Sequence, residues 1–314
     1  MTTKIEWTDY TWNPIVGCSK CSPGCQNCYA EKMGRRLAAI AANKNLLVIN
    51  RGIGRYVSVI GVDGKWNGKT VLDIGHDISD EIYKPLRLKK PRRIFVCSMS
   101  DLFHENVSDW AIEKVCRVQK EAPWHTYIWL TKRPEQMRDF ILDYYGVNGP
   151  GKNVWCGVTV CNQDEADRKI PILLQTPAST HFVSIEPMLG EIDLENLPGL
   201  MGTGRHLDSL SSAGIEGSSI YGSLKWVIVG GESGHRARPM HPDWVRSVRD
   251  QCVSAKVPFF FKQWGDGIFY CKNTAIHTFL LDGMFLRDAG WKAGDKKGGR
   301  TIDGKIYDQY PIID

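Results

Sequence analysis

Residues 17–30 read Gly-Cys-Ser-Lys-Cys-Ser-Pro-Gly-Cys-Gln-Asn-Cys-Tyr-Ala, which places Cys18, Cys21, Cys25 and Cys28 within eleven residues. The chain has ten cysteines, and the other six are scattered. Thiolates are soft ligands that select zinc, copper(I) or iron–sulfur clusters. A cluster needs several of them converging from one loop, and Pro23 and Gly24 supply tight turns. Three readings compete. A structural zinc site would use all four thiolates, but paired Cys-x-x-Cys arms normally enclose a far longer excursion than the three residues between Cys21 and Cys25. Unligated thiols or a redox pair are the second reading. The third is a three-thiolate cluster with one iron open, through either Cys21, Cys25 and Cys28 or Cys18, Cys25 and Cys28.

Elements on either side must position this loop. Short, nearly continuous apolar runs predict strands buried on both faces at Trp12–Val16, Arg93–Cys97, Thr126–Leu130, Val154–Thr159, His181–Ile185, Trp226–Val229 and Val257–Phe261. Val71–Ile74 is a weaker candidate. Amphipathic segments lie between them. Tyr29–Ala42 places Ala30, Met33, Leu37 and Ala41 on one face, and Ser108 can cap a helix carrying Trp110, Val115 and Val118. Pro134 suits the first turn of a helix bearing Met137, Phe140, Ile141 and Tyr144 and stopped by Gly146; Pro242 opens one with Trp244, Val245, Val248 and Cys252. Strand–helix alternation favours one α/β domain spanning residues 1–314, a parallel (β/α) barrel or partial barrel; a doubly wound open sheet has the same local pattern. Residues 50–69 and 198–223 read as insertions, and 265–314 as an irregular closing segment. The thiol loop, after the first strand, falls on the face where barrel enzymes do chemistry.

Several stretches together carry a resemblance: Ile5-Glu6-Trp7-Thr8, Trp12-Asn13-Pro14, Gly17-Cys18 through Cys28-Tyr29-Ala30, Ser98-Met99-Ser100-Asp101-Leu102-Phe103, Trp129-Leu130-Thr131-Lys132-Arg133-Pro134, Ser184-Ile185-Glu186-Pro187, Val229-Gly230-Gly231-Glu232-Ser233-Gly234 and Phe261-Lys262-Gln263-Trp264-Gly265. Over nearly the whole chain they resemble a phage-associated three-cysteine-motif family, itself similar to the radical S-adenosylmethionine (SAM) superfamily and to spore photoproduct lyase. The resemblance implies a radical SAM-type barrel in which three cysteines hold a 4Fe-4S cluster. The open iron chelates SAM, and an electron from a flavodoxin- or ferredoxin-type donor cleaves it to methionine and a 5′-deoxyadenosyl radical. The family's three cysteines correspond to Cys18, Cys25 and Cys28, leaving Cys21 as an extra. The usual aromatic before the last cysteine is absent: Asn27 stands there and Tyr29 follows. Similarity to the lyase points to a nucleobase in DNA or RNA as substrate.

The related pattern also assigns polar groups at strand ends. Ser98, Ser100 and Asp101 stand where a hydroxyl and acidic cluster takes the SAM amino group; their ordinary use is in turns and caps. Lys132 matches a lysine for the SAM carboxylate, with Arg133 a second cation at the same strand end. Thr159 and Asn162 can meet the ribose, or bond local backbone. Glu186 can bind substrate or act as an acid or base, but a carboxylate paired with Lys or Arg has the same sequence signature. Gly230, Gly231 and Glu232 form a late glycine turn whose N–H groups can face a phosphate or carboxylate, with positive charge from His235, Arg236 and Arg238. Solvated arginines on a plain turn are the alternative.

Composition limits the rest. Of 314 residues, 42% are hydrophobic and 24% charged, an ordinary globular balance, and a net charge of +5 permits a nucleic-acid partner without requiring one. The basic run Arg87–Arg93 fits either phosphate contacts or a solvated connector. Trp129, Trp155 and Trp226 lie in apolar runs and are expected in the core. No stretch approaches the roughly 20 apolar residues of a membrane span, and the N-terminus has no signal-peptide core. A cytoplasmic protein with reduced thiols is therefore expected. The competing class is a zinc-stabilised nucleic-acid-binding protein without radical chemistry.

Overall fold

The computed structural model describes residues 3, 5–44, 52–75, 77–199, 206–211, 222–266, 280–281, 284–285 and 299–312. Most of the expected insertion at 198–223 and of the irregular segment at 265–314 lies outside the described residues. The chain is a mixed α/β protein whose main sheet has seven strands. Two compact units divide it, residues Met1–Gly157 with Thr176–Ser179, and Val158–Gln175 with Thr180–Asp314.

The first unit contains β1 (Tyr10–Trp12), β2 (Ile15–Val16), α1 (Tyr29–Asn43), α2 (Arg55–Val59), β3 (Val71–Leu72), α3 (Lys84–Arg87), β4 (Arg93–Val96), α4 (Asp109–Glu121), β5 (Thr126–Thr131), α5 (Pro134–Tyr145) and the start of β6 (Val154–Val160). β1 pairs in parallel with β4, and β4 with β5. The single strand expected over Trp12–Val16 is two. Pro14 has no N–H to give a ladder and disfavours helical backbone at Asn13, so Ile15–Val16 leaves the main sheet and pairs antiparallel with Val71–Leu72. The thiol loop therefore follows a short two-stranded antiparallel ribbon whose strands lie far apart in the chain, not a strand of the main sheet. Arg55 is buried and braces the break, donating to the carbonyls of Pro14 (2.8 Å) and Asn13 (3.1 Å).

Other expectations shift at their edges. β4 stops at Val96 because Cys97 turns to positive φ (60°), and β11 begins at Phe259. Trp129, Trp155 and Trp226 are core residues, as their apolar runs imply. Met33, which shares an apolar face with Ala30, Leu37 and Ala41, is exposed, as is Trp110; α1 buries Ala30, Gly34 and Ala41. Gly34 is the reason: a Cβ there would sit 2.6 Å from the Trp66 ring, so the helix seats through its smallest residue. The described part of residues 50–69 is not a plain loop, since α2 within it buries Tyr56 and Val59 against Val16, Ala30 and Met99.

The second unit contains the end of β6, then α6 (Gln163–Leu174), β7 (Thr180–Ile185), β8 (Leu197–Pro198), β9 (His206–Leu207), β10 (Leu224–Gly230), α7 (Pro242–Ser254), β11 (Phe259–Gln263), β12 (Leu280–Leu281), β13 (Met284–Phe285), β14 (Thr301–Ile302) and β15 (Lys305–Ile306). β7 and β10 pair in parallel, as do β10 and β11. The strand order in the main sheet is β1-β4-β5-β6-β7-β10-β11. β8–β9, β12–β13 and β14–β15 are small antiparallel ribbons. Among the described residues no helix is long and apolar enough to cross a membrane.

Candidate metal centre

The thiol loop begins at Gly17, whose φ of +95° and close neighbours exclude a side chain: a Cβ would lie 2.2 Å from the Lys69 carbonyl oxygen and 2.8 Å from Val59. Ser22 caps the 3-10 turn Pro23–Cys25 by accepting from the Gly24 N–H. Cys28 then leads into α1, and the Tyr29 hydroxyl donates to the Ser98 carbonyl at 2.8 Å. Cys25 is buried, Cys18 and Cys28 are half-buried and Cys21 is exposed; all nine described cysteines are free thiols.

The four thiols differ in their electrostatics. Burial pushes Cys18 up to about 12, with the Asp101 carboxylate adding to the shift. Cys21 and Cys25 share a side-chain hydrogen bond, which holds the Cys25 thiol well below its ordinary value and pushes Cys21 up; burial adds to the rise at Cys21. Of that pair, Cys25 is the member that ionises first. Burial would lower the pKa of Lys132, but the thiolate charges of Cys25 and Cys28, with Asp101 and Cys21, outweigh it and hold the ammonium above its ordinary value.

Three polar groups fasten this loop to the strand ends of the same unit. Arg133 donates to Asp101 (3.1 Å), to Glu105 (2.5 Å) and to the Ser19 hydroxyl (2.8 Å). Ser19 donates in turn to Glu105 at 2.8 Å. His104 accepts the Asn106 N–H at Nδ1 (3.0 Å), so its proton is on Nε2, which faces the Ser19 hydroxyl at 2.8 Å. Burial lowers the His104 pKa and the Arg133 charge adds to that, keeping the ring neutral. Burial would raise Glu105, but the bond from Arg133 overrides it and holds the carboxyl near about 2.

The expected ligand groups of this unit are brought together, and most are already engaged. Asp101 accepts from the Phe103 N–H (3.1 Å), the Thr131 hydroxyl (2.6 Å), the Lys132 N–H (3.1 Å) and Arg133 (3.1 Å). Four donors fill a carboxylate's lone-pair sites, so Asp101 orients Lys132 and Arg133 and has no site left for an incoming amino group. Ser98 donates to Asn13 Oδ1 at 3.0 Å and Ser100 to the Gly17 carbonyl at 2.5 Å. Lys132 is different. Among the described residues its half-buried ammonium makes no hydrogen bond or close ion pair, and its charge acts on all four thiols of the loop.

In the second unit the local alternatives are realised at Asn162, Glu186 and the glycine turn, while the bond at Thr159 is to its main-chain carbonyl. Asn162 caps α6, accepting the Glu165 N–H at 3.1 Å, and the Thr159 carbonyl accepts from Lys169 at 3.2 Å. Arg168 is exposed and donates to the Asp164 carbonyl. Glu186 pairs with Lys262 at 2.9 Å and accepts from Ser184 at 3.0 Å. Gly230 lies against that carboxylate: a Cβ would sit 2.6 Å from Glu186 Oε1. The glycine turn folds on itself. The Gly231 N–H donates to the Gln263 carbonyl and the Gly234 N–H to Asp266, while Glu232 is buried and takes Arg238 at 2.6 Å. Those N–H groups have internal acceptors, and α7 starts only at Pro242, so the turn is not a phosphate cradle at a helix start. Arg236 is exposed.

Sequence reasoning did not single out Asn13, Ser19, Arg55, His104 or Glu105. The only available signal was proximity: Ser19 lies between two of the cysteines, and His104 and Glu105 directly follow the quoted Ser98–Phe103 stretch. Among the described residues, no group of three or more His, Cys, Asp or Glu side chains holds a metal-binding arrangement. The donor chemistry nonetheless suits a soft metal: four reduced thiols on one loop, one biased to thiolate, under an uncommitted ammonium.

The family model described as a protein of unknown function, DUF5131, matches residues 2–311. No curated protein and no solved structure matches the chain.

Proposed function

We propose that this chain, which belongs to the DUF5131 family, is a radical SAM-type enzyme built on a partial barrel, with Cys18, Cys25 and Cys28 as cluster ligands. The observation that carries the reading is Lys132: an ammonium without a partner among the described residues, whose backbone is fixed to Asp101 and whose charge acts on all four thiols of the loop. Bound there, a 4Fe-4S cluster would supply the electron that cleaves SAM to a 5′-deoxyadenosyl radical. The chain's own residues perform the rest. Lys132 takes the SAM carboxylate as a charge-assisted partner. Arg133, Ser19, His104 and Glu105 hold the loop in register with the ends of β4 and β5. The Glu186–Lys262 pair is assigned to substrate binding or proton transfer, and the substrate class to a nucleobase in DNA or RNA. An external flavodoxin- or ferredoxin-type protein provides the reducing electron.

Anaerobic reconstitution with iron and sulfide tests this. The reduced protein should show brown cluster absorption and form 5′-deoxyadenosine from SAM, Cys18→Ala should abolish that turnover, and Cys21→Ala should retain it. Stoichiometric tight zinc with no deoxyadenosine would instead make the protein a zinc-stabilised module. Loss on Cys21→Ala with retention on Cys18→Ala would move the ligand set to the shorter spacing.

A further inference from the structure

Directly after the thiol loop, α1 turns a basic and partly aromatic face outward. Tyr29, Lys32, Met33, Arg35 and Arg36 are all exposed, while Ala30, Gly34 and Ala41 take the buried side. Tyr29, Lys32 and Arg36 follow the i, i+3, i+7 spacing of a single helix face, over about 10 Å of axis. Among the described residues the three cations have no hydrogen bond or ion pair. Glu31 is the one acid of the helix and is engaged elsewhere, with Lys20 at 3.2 Å and the Trp66 N–H at 3.2 Å. Like charges three and four residues apart destabilise a helix, so Lys32, Arg35 and Arg36 add nothing to the stability of α1.

Tyr29 adds a fixed ring to this face. Its hydroxyl donates to the Ser98 carbonyl at 2.8 Å, which anchors the side chain just beyond β4, yet 53% of the residue stays exposed. A held aromatic with an open surface can stack on a planar group, and it loses little freedom in doing so. Cations one and two turns along suit the phosphates that flank a stacked base. We propose that the outer face of α1 binds single-stranded nucleic acid, with a base on Tyr29 and the phosphate backbone on Lys32, Arg35 and Arg36. The inference rests on the reading that the substrate is a nucleobase in DNA or RNA, and it brings that strand beside the thiol loop. An acidic protein would engage the cations and leave the ring without a use. A duplex would match the charge, but its bases stack on one another and cannot reach Tyr29.

Fluorescence anisotropy of labelled oligothymidylate, titrated with the full-length metal-free protein, tests this. The wild type should bind it, and more tightly than the same strand annealed to oligoadenylate. Tyr29→Leu should weaken single-strand binding about five- to a hundredfold, the range for one stacked base, while Tyr29→Phe should retain it. Lys32→Ala, Arg35→Ala and Arg36→Ala together should flatten the log–log salt dependence by about 2, near 0.7 for each phosphate contact on a single strand. Alanine favours helix at exposed positions, so the triple variant should fold, as circular dichroism would verify. No binding by the wild type, or unchanged binding by either Tyr29→Leu or the triple variant, overturns the proposal. Polyglutamate that competes as well as the oligonucleotide also overturns it, and would make the face a docking site for an acidic protein. Deoxyadenosine formation is measured separately on reconstituted protein. Turnover without single-strand binding sinks the interface and leaves the radical reading; binding without turnover does the reverse.

Discussion

At the scale of single residues, the first unit separates groups that hold from a group that waits. Asp101, Arg133, Ser19 and His104 satisfy one another, so each is needed for the loop's position. Lys132 has no such commitment, and removing its charge should not cost the fold. Lys132→Met is expected to leave the unfolding free energy from urea titration within about 0.5 kcal/mol of wild type. It should weaken anaerobic SAM binding by about 1.5–3 kcal/mol, roughly ten- to a hundredfold, the range for a hydrogen bond to a charged group. Isothermal titration calorimetry on the reconstituted protein checks this. His104 gives a pH prediction. Burial and the Arg133 charge lower its folded pKa below the ordinary 6.5, so the unfolded chain takes up the proton first as pH falls. Its contribution is complete above about pH 6.5 and is lost below it, with a slope approaching about 1.4 kcal/mol per pH unit for one proton. Buried His125 acts with the same sign. The His104 share is therefore the part of the acid-side fall in urea midpoint that disappears in His104→Gln. The neutral state of His104 was not legible in the sequence, because it follows from the Asn106 N–H at Nδ1 and from burial.

At the scale of elements, the deciding feature is the break at Asn13-Pro14. It turns one expected strand into a main-sheet strand and a strand of a separate two-stranded ribbon, and the thiol loop leaves from the second. Arg55, on a helix within a segment read as an insertion, satisfies the carbonyls that the break exposes. Gly17 then passes between Lys69 and Val59 with no room for a Cβ. Gly17→Ala combines a left-handed backbone with a clash against main chain. Each strained residue of this kind costs of order 1–3 kcal/mol, so the thermal midpoint should fall by several degrees. Cluster content per chain after reconstitution should fall with it, because the loop is displaced at its root. An unchanged midpoint would show that the backbone around Gly17 can shift to admit a methyl group. Helix boundaries were better read: α5 begins at Pro134 and ends at Gly146, whose φ is +65°, because both signals are local backbone chemistry.

At the scale of the whole molecule, a net charge of +5 and the solvated run with exposed Lys89, Lys90 and Arg92 fit the proposed nucleic-acid substrate through phosphate contacts. Binding to a fluorescent oligonucleotide should weaken with salt, by a log–log slope near −0.9 per phosphate neutralised on duplex. Lys89→Glu, Lys90→Glu and Arg92→Glu together should reduce that slope; an unaltered slope would assign the run to a solvated connector. What the sequence by itself determined was periodic and local: the α/β alternation, the tryptophan core, the helix punctuation and a loop with four thiols. Those features follow from side-chain period, proline and glycine geometry, and thiol chemistry, which act over a few residues. Only the tertiary structure decided which polar groups are already engaged. Asp101 and Lys132 look equally available in the sequence, yet one is filled by four donors arriving from positions 103 to 133 and the other by none among the described residues. The same holds for Glu186 with Lys262 and for Glu232 with Arg238. A buried charge must be matched by whatever the fold brings beside it, and that partner is set by strand order and turn geometry, not by its neighbours in the chain.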